Sequence, residues 1–204
     1  MMDKREQTAC FTGHRTIPPQ QLEDLAQRLR AAVEDAIGRG YRYFGAGGAL
    51  GFDTLAAQTV LELKKDHPHI RLILVLPCLS QAERWSREQQ QTYEAIKARA
   101  DKVVYTSRGY HRGCMHVRNR HLVDHSSLCI SYLTQPTGGT AYTVDYATAQ
   151  GLEVVNLGDT PREKAHAETL SVCFYYASAP RAKNMRDSTS RMANSFQINF
   201  KNAP

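Results

Sequence analysis

The chain has 204 residues, of which 42% are hydrophobic and 23% charged, and a formal charge of +6. That is the length and composition of one globular domain, or one domain with an appendage. Apolar runs such as Leu72–Leu76 are far too short to cross a bilayer, and no apolar stretch follows the charged Met1–Gln7, so neither a membrane span nor Sec export is expected.

In chain order, Thr8–Thr12 is a short β-prone run that stops at Gly13. Pro18 and Pro19 open a periodic segment in which Leu22, Leu25, Leu29, Ala32, Val33 and Ala36 recur at spacings of three and four, which predicts an amphipathic helix ended by Gly38–Gly40. Tyr41–Gly45 reads as a strand, Gly47–Gly51 as a glycine-rich loop, and Asp53 to about Lys65 as a helix. Ile70–Leu76 is apolar at successive positions and β-branched, as a central parallel strand is. The remaining elements are a polar helix over 81–100, a strand at Lys102–Tyr105, a helix at Arg118–Ser126 and a strand at Leu128–Leu133. A helix at Thr140–Gln150 and a strand at Glu153–Leu157 complete the series.

Strand and helix thus alternate, and right-handed crossovers turn such alternation into a parallel sheet with helices on both faces. The expected fold class is α/β, a Rossmann-like, doubly wound and mostly parallel sheet over residues 6–160. Residues 161–179 leave room for one further element. Residues 180–204 lack periodicity and read as a flexible basic tail.

The tail also takes most of the charge. Arg181, Lys183, Arg186, Arg191 and Lys201 face the single anion Asp187, leaving a net of +2 for the rest of the chain. Nucleic acid is therefore a partner only weakly, through the tail. Five cysteines form no C-x-x-C pair, and Cys10 and Cys129 sit in apolar runs, so a reducing, cytoplasmic compartment is expected.

Ligands of open α/β sheets bind beyond the carboxyl ends of the strands. Gly13, His14 and Arg15 follow the first strand. They read either as donors for phosphate or carboxylate or as a turn with two solvated side chains. Gly47, Gly48 and Gly51 lie between a strand and a helix, where free amides at a helix start suit an anion. They match neither the Walker A nor the G-x-G-x-x-G pattern. Asp53, in the first helical turn, is either a cap or an acceptor for ribose hydroxyls. Gly138, Gly139 and Thr140 repeat the same physics before a later helix. Arg118 and Asn119 sit between these loops, either as a phosphate and ribose contact or as part of a cationic surface helix.

Other chemistries find less support. His111, Cys114, His116, His121 and His125 match no standard zinc spacing, so no metal is expected. No G-x-S-x-G elbow is present, and Cys78 has no evident base beside it. Trp85 reads as a stacking platform or a packing residue.

Together, Phe11–Arg15, Gly47–Asp53, Gln81–Trp85, Arg118-Asn119 and Gly138–Thr140 occur in an order and spacing that resemble the YpsA-like family of the SLOG superfamily. The resemblance covers about residues 8–158. That superfamily also holds the LOG phosphoribohydrolases and the DNA-processing protein DprA. The resemblance implies a Rossmann-like sheet with a pocket for a small nucleotide derivative of the ADP-ribose, NAD or nucleoside monophosphate type. It brings no firm cofactor and is compatible with homo-oligomers.

The LOG branch cleaves an N-glycosidic bond with an arginine in the helix before the glycine loop and a glutamate just after that loop. Arg118 stands in a position similar to that arginine. After Thr140 come Ala141, Tyr142 and Thr143, and the first acid is Asp145, later than the LOG pattern places it. The resemblance therefore implies ligand binding, in a sensor or regulator, ahead of hydrolysis by Arg118 and a displaced acid such as Asp53. Single-stranded DNA binding by analogy with DprA is the third reading.

Overall fold

The computed structural model describes residues 3–158. The readings made for residues 161–179 and 180–204 lie outside the described residues.

Among the described residues six strands alternate with five α-helices. They are β1 (Thr8–Gly13), α1 (Pro19–Gly38), β2 (Tyr43–Ala46), α2 (Phe52–Leu63), β3 (Arg71–Leu76) and α3 (Arg87–Arg99). Then come β4 (Lys102–Tyr105), α4 (Cys114–Asp124), β5 (Leu128–Tyr132), α5 (Gly139–Ala149) and β6 (Glu153–Asn156). The strands form one sheet in the order β4-β3-β2-β1-β5-β6, and every neighbouring pair is parallel. The chain is thus a Rossmann-like α/β protein, its sheet parallel throughout.

Strand pleating divides the interior into two cores. Ala9 and Phe11 of β1 point into one core with Phe44, Leu72 and Leu74, against Leu25, Leu29 and Val33 of α1 and Ala56 and Val60 of α2. The intervening Cys10 points into the other, with Val75, Cys129, and Leu122 and Val123 of α4. Alternation with a period of two sends neighbouring residues to opposite faces, so helices cover both sides.

Two helix starts differ by a turn or more from the sequence expectation. The third helix starts at Arg87 rather than Gln81, because Ser86 caps it: the Ser86 side chain accepts from the Gln89 N–H at 3.2 Å, and the Gln89 side chain accepts from the Ser86 N–H at 3.0 Å. The fourth begins at Cys114, one turn before Arg118, after Gly113 in the left-handed region at φ 91°. Arg118 therefore lies inside the helix and not at its start.

Strand order also creates the position for a site. The chain steps outward from β1 through β2 and β3 to β4, returns through α4 to β5 on the other side of β1, and continues to β6. The connections beyond β1 and β5 diverge, opening a crevice at this switch point.

Candidate functional site

At that crevice lies a cavity of about 320 Å³. Of the residues singled out in the sequence, Gly13, His14, Arg15, Asp53, Arg118, Asn119, Gly139 and Thr140 line it. Gly47, Gly48, Gly51 and Gly138 do not. Phe11, Thr12, Ala49 and Met115 line it as well; the first three lie within the motifs Phe11–Arg15 and Gly47–Asp53, whereas no sequence signal marks Met115.

Its centre is a buried ion pair. Arg118 Nη1 donates to Asp53 Oδ2 at 3.2 Å, and both side chains are 7% exposed. The same carboxylate oxygen accepts from the Ala49 N–H at 3.2 Å. Burial pushes the Asp53 carboxyl above its ordinary range, against the opposing pull of Arg118 and the Ala49 amide. Arg118 Nε is buried without a hydrogen-bond partner among the described residues. The surface-helix alternative for Arg118 is therefore not the arrangement found.

The first glycine loop is shaped by this pair. A Cβ on Gly47 would collide with Arg118 Nη1 and stand 2.7 Å from Asp53 Oδ2. Gly48 is held at φ 63°, where a Cβ would stand 2.6 Å from Leu76, and Gln81 Nε2 donates to its carbonyl at 2.7 Å. Gly51, at φ 73°, packs on the Arg15 carbonyl, and the Phe52 N–H donates to the His14 carbonyl at 3.1 Å. The start of α2 is thus occupied by the chain itself. Gly13 is also a packing position, with a Cβ 2.5 Å from Phe52.

The second glycine loop is open. Nothing stands within 4 Å of a Cβ built on Gly138 or Gly139, and no side chain caps α5. Gly138 adopts φ 96° and ψ −172°, a conformation almost restricted to glycine. Asn119 braces this turn: its Nδ2 donates to Thr143 Oγ1 at 2.7 Å, and Thr143 Oγ1 donates to the Gly139 carbonyl at 2.7 Å.

His14 ties the end of β1 to the segment that follows β5. The Thr134 N–H donates to His14 Nε2 at 3.0 Å, which requires an unprotonated Nε2. Burial lowers the His14 pKa in agreement with that role. Tyr132 meets the ring edge-to-face at 5.8 Å.

The other sequence candidates lie elsewhere. Asp145 is exposed on α5 and does not line the cavity. Trp85 packs edge-to-face on Tyr93 and against the core. Among the described residues no cluster of three or more His, Cys, Asp or Glu is placed to hold a metal ion. Cys10, Cys78, Cys114 and Cys129 are buried free thiols. No helix among the described residues is long and apolar enough to cross a membrane.

Chemically, the cavity offers Arg15 as a cation, Arg118 paired with Asp53, and the open first turn of α5 as a donor end, with Asp53 the single acid lining it among the described residues. A small anionic ligand fits this charge pattern.

Comparison with known proteins agrees with the fold. The YspA SLOG family model matches residues 18–154. The uncharacterized SPbeta prophage-derived protein YoqJ of Bacillus subtilis (strain 168) is 32% identical over 136 residues, covering 60% of this chain and 80% of YoqJ. The UPF0398 protein BH1768 of Halalkalibacterium halodurans is 31% identical over 124 residues, covering 59% of this chain and 64% of that protein. Among solved structures, DNA processing protein A from Streptococcus pneumoniae superposes with a TM-score of 0.57 at 13% identity, over 82% of this chain and 57% of its own. The protein of that name from Helicobacter pylori, described with a single-stranded DNA binding mode, gives a TM-score of 0.55 at 16% identity, over 83% of this chain and 74% of its own. At such identities the likeness is one of fold.

Proposed function

The chain belongs to the YspA SLOG family, and from that premise we propose that it binds a nucleotide-derived ligand at the β1/β5 crevice, as a sensor or regulator. Ligands of the ADP-ribose, NAD and nucleoside monophosphate type carry the two features this crevice complements, a phosphate and a polar sugar. The phosphate sits at the first turn of α5, over Gly139 and Thr140, with Arg15 at the rim. Behind it Arg118, paired with Asp53, keeps its buried Nε without a partner among the described residues. The reading places the protein in the cytoplasm, in keeping with the buried free thiols.

One observation supports binding ahead of hydrolysis. The sole acid lining the cavity among the described residues, Asp53, is already engaged by Arg118 and the Ala49 amide. N-glycosidic hydrolysis needs a carboxylate free to stabilise a cationic sugar or activate water. Asp53 would have to leave both partners to act so.

Calorimetry with AMP, ADP-ribose and NAD tests the reading. Saturable binding of at least one is expected, weakened about tenfold or more in Arg15→Ala, since a hydrogen bond to a charged group contributes about 1.5–3 kcal/mol, and abolished in Gly139→Glu. Failure of all three ligands, or affinity unchanged in both variants, overturns it. Release of free base from AMP that disappears in Asp53→Asn would make the protein a hydrolase instead.

A second reading, single-stranded nucleic-acid binding, rests on Tyr110, which is 73% exposed between Arg108 and Arg112. Exposed aromatic faces among cations suit unpaired bases. A salt-sensitive gel shift lost in Tyr110→Ala would support it; no shift would remove it.

A further inference from the structure

A second cavity, of about 530 Å³, lies at the other end of the sheet, among the first residues of β1, β2 and β4. Its floor comprises Tyr43, Gly45, Ile73, Val75 and Val104. Gly45 pairs with Ile73, and Val75 with Val104, so these residues share the sheet face that α4 covers. Coverage by α4 is partial. A Cβ on Gly45 would stand 2.9 Å from Leu122, whereas Ile73 and Val104 remain only half-buried.

The rim is cationic. Lys4, Arg5 and Lys102 line it and enter no ion pair among the described residues. The two acids at the rim are already engaged. Asp124 accepts from the Tyr146 hydroxyl at 2.8 Å, and Asp3 accepts from the Arg5 N–H at 3.3 Å. His121 and His125 complete the wall, their ring centroids 4.2 Å apart. Burial first, and His125 second, lower the His121 pKa.

We propose that this cavity is a second ligand site, separate from the crevice, for a free single-chain amphipathic anion such as a medium-chain carboxylate. The alkyl chain lies along Ile73, Val75 and Val104, and the head group reaches Lys102 and the Lys4-Arg5 pair. Three features favour this class. The floor is mostly apolar, with Tyr43 the one polar-tipped side chain among the five residues that form it. The unpaired cations lie at the mouth rather than in the interior. The volume falls in the range of about 300–1,000 Å³ usual for small-molecule sites. A nucleotide fits less well, since its polar sugar would lie against Ile73, Val75 and Val104.

Calorimetry of the full chain with decanoate, below its micelle concentration, tests the assignment. Saturable binding of one decanoate per chain is expected, at least tenfold tighter than that of decanol. Ile73→Trp fills the cavity and should abolish binding. Lys102→Glu, at an exposed position, should weaken it at least tenfold with an unchanged circular dichroism spectrum, which keeps the test valid should the tryptophan variant fold poorly. No saturable binding, equal affinity for decanol, or undiminished affinity in Lys102→Glu would each overturn the proposal. Sedimentation of the chain with anionic phospholipid vesicles, in a form that decanoate does not release, would overturn it in favour of a membrane surface.

Discussion

Arg118 Nη1 reaches Asp53 Oδ2 at 3.2 Å across 65 residues of chain, and neither side chain is more than 7% exposed. This bond ties α4 to the start of α2 directly beneath the crevice. It also occupies the space that Gly47 leaves by having no side chain.

Removing one member of the pair should therefore cost more than removing both. Arg118→Ala leaves a buried carboxyl without its cation and is expected to destabilise the fold by about 3–5 kcal/mol. The double variant Arg118→Met/Asp53→Leu should recover much of that loss. Urea denaturation of the single and double variants measures the coupling. A double variant as unstable as the sum of its parts would show that the two side chains act independently.

The glycines divide by what occupies the space beside them. Gly47→Ala pushes into the Arg118 guanidinium and is expected to cost about 1–3 kcal/mol. Gly138→Ala meets open space but a φ of 96°, and is expected to cost about 1–3 kcal/mol through backbone strain alone. Gly139→Ala, in the first turn of α5 with nothing nearby, should leave stability unchanged or slightly raised. Thermal melts of the three rank them, and a Gly139→Ala as damaging as Gly47→Ala would contradict the open geometry of this loop.

His14 gives a pH signature. Burial holds its folded pKa below 6.5, so the unfolded chain binds the proton more tightly. The stability from neutral His14 is complete above pH 6.5 and declines as pH falls through the folded value. The bond from Thr134 is lost over the same interval, since protonated Nε2 cannot accept. Nitrogen NMR of the imidazole should show the N–H on Nδ1 at pH 7 and a midpoint below 6.5. A midpoint above 6.5, or the proton on Nε2, would refute the assignment. His14→Gln should remove this part of the pH dependence.

The cap of α3 provides a separate check on local structure. Ser86→Ala removes the acceptor for the Gln89 N–H and is expected to cost about 1 kcal/mol. Neither Ser86 nor Gln89 lines the crevice, so ligand affinity should not change. Denaturation and calorimetry on one preparation measure both.

What the amino-acid order determined by itself is local. The 3.6 periodicity of α1, the continuous apolar run of β3 and the turn residues between segments indicated the six strands and five helices of the described residues, two of the helices with shifted starts, because such patterns depend on residues close in sequence. Strand-terminal glycines with the motifs from Phe11 to Thr140 were enough to identify the family. The roles of those glycines were not legible in the same way. Gly47 and Gly139 follow strands and precede helices alike. Only the tertiary structure shows the first filled by Arg118 and the second open to solvent. Similarly, Arg118 could be read as a surface cation until the chain's return to the β1/β5 crevice carried it over Asp53. Spacing encodes the backbone of each element, whereas the neighbours of a side chain depend on strand order and crossover, which bring distant segments into contact. The two cavities follow from the same cause: one opens where the connections diverge at the switch point, the other where α4 stops short of covering β3 and β4.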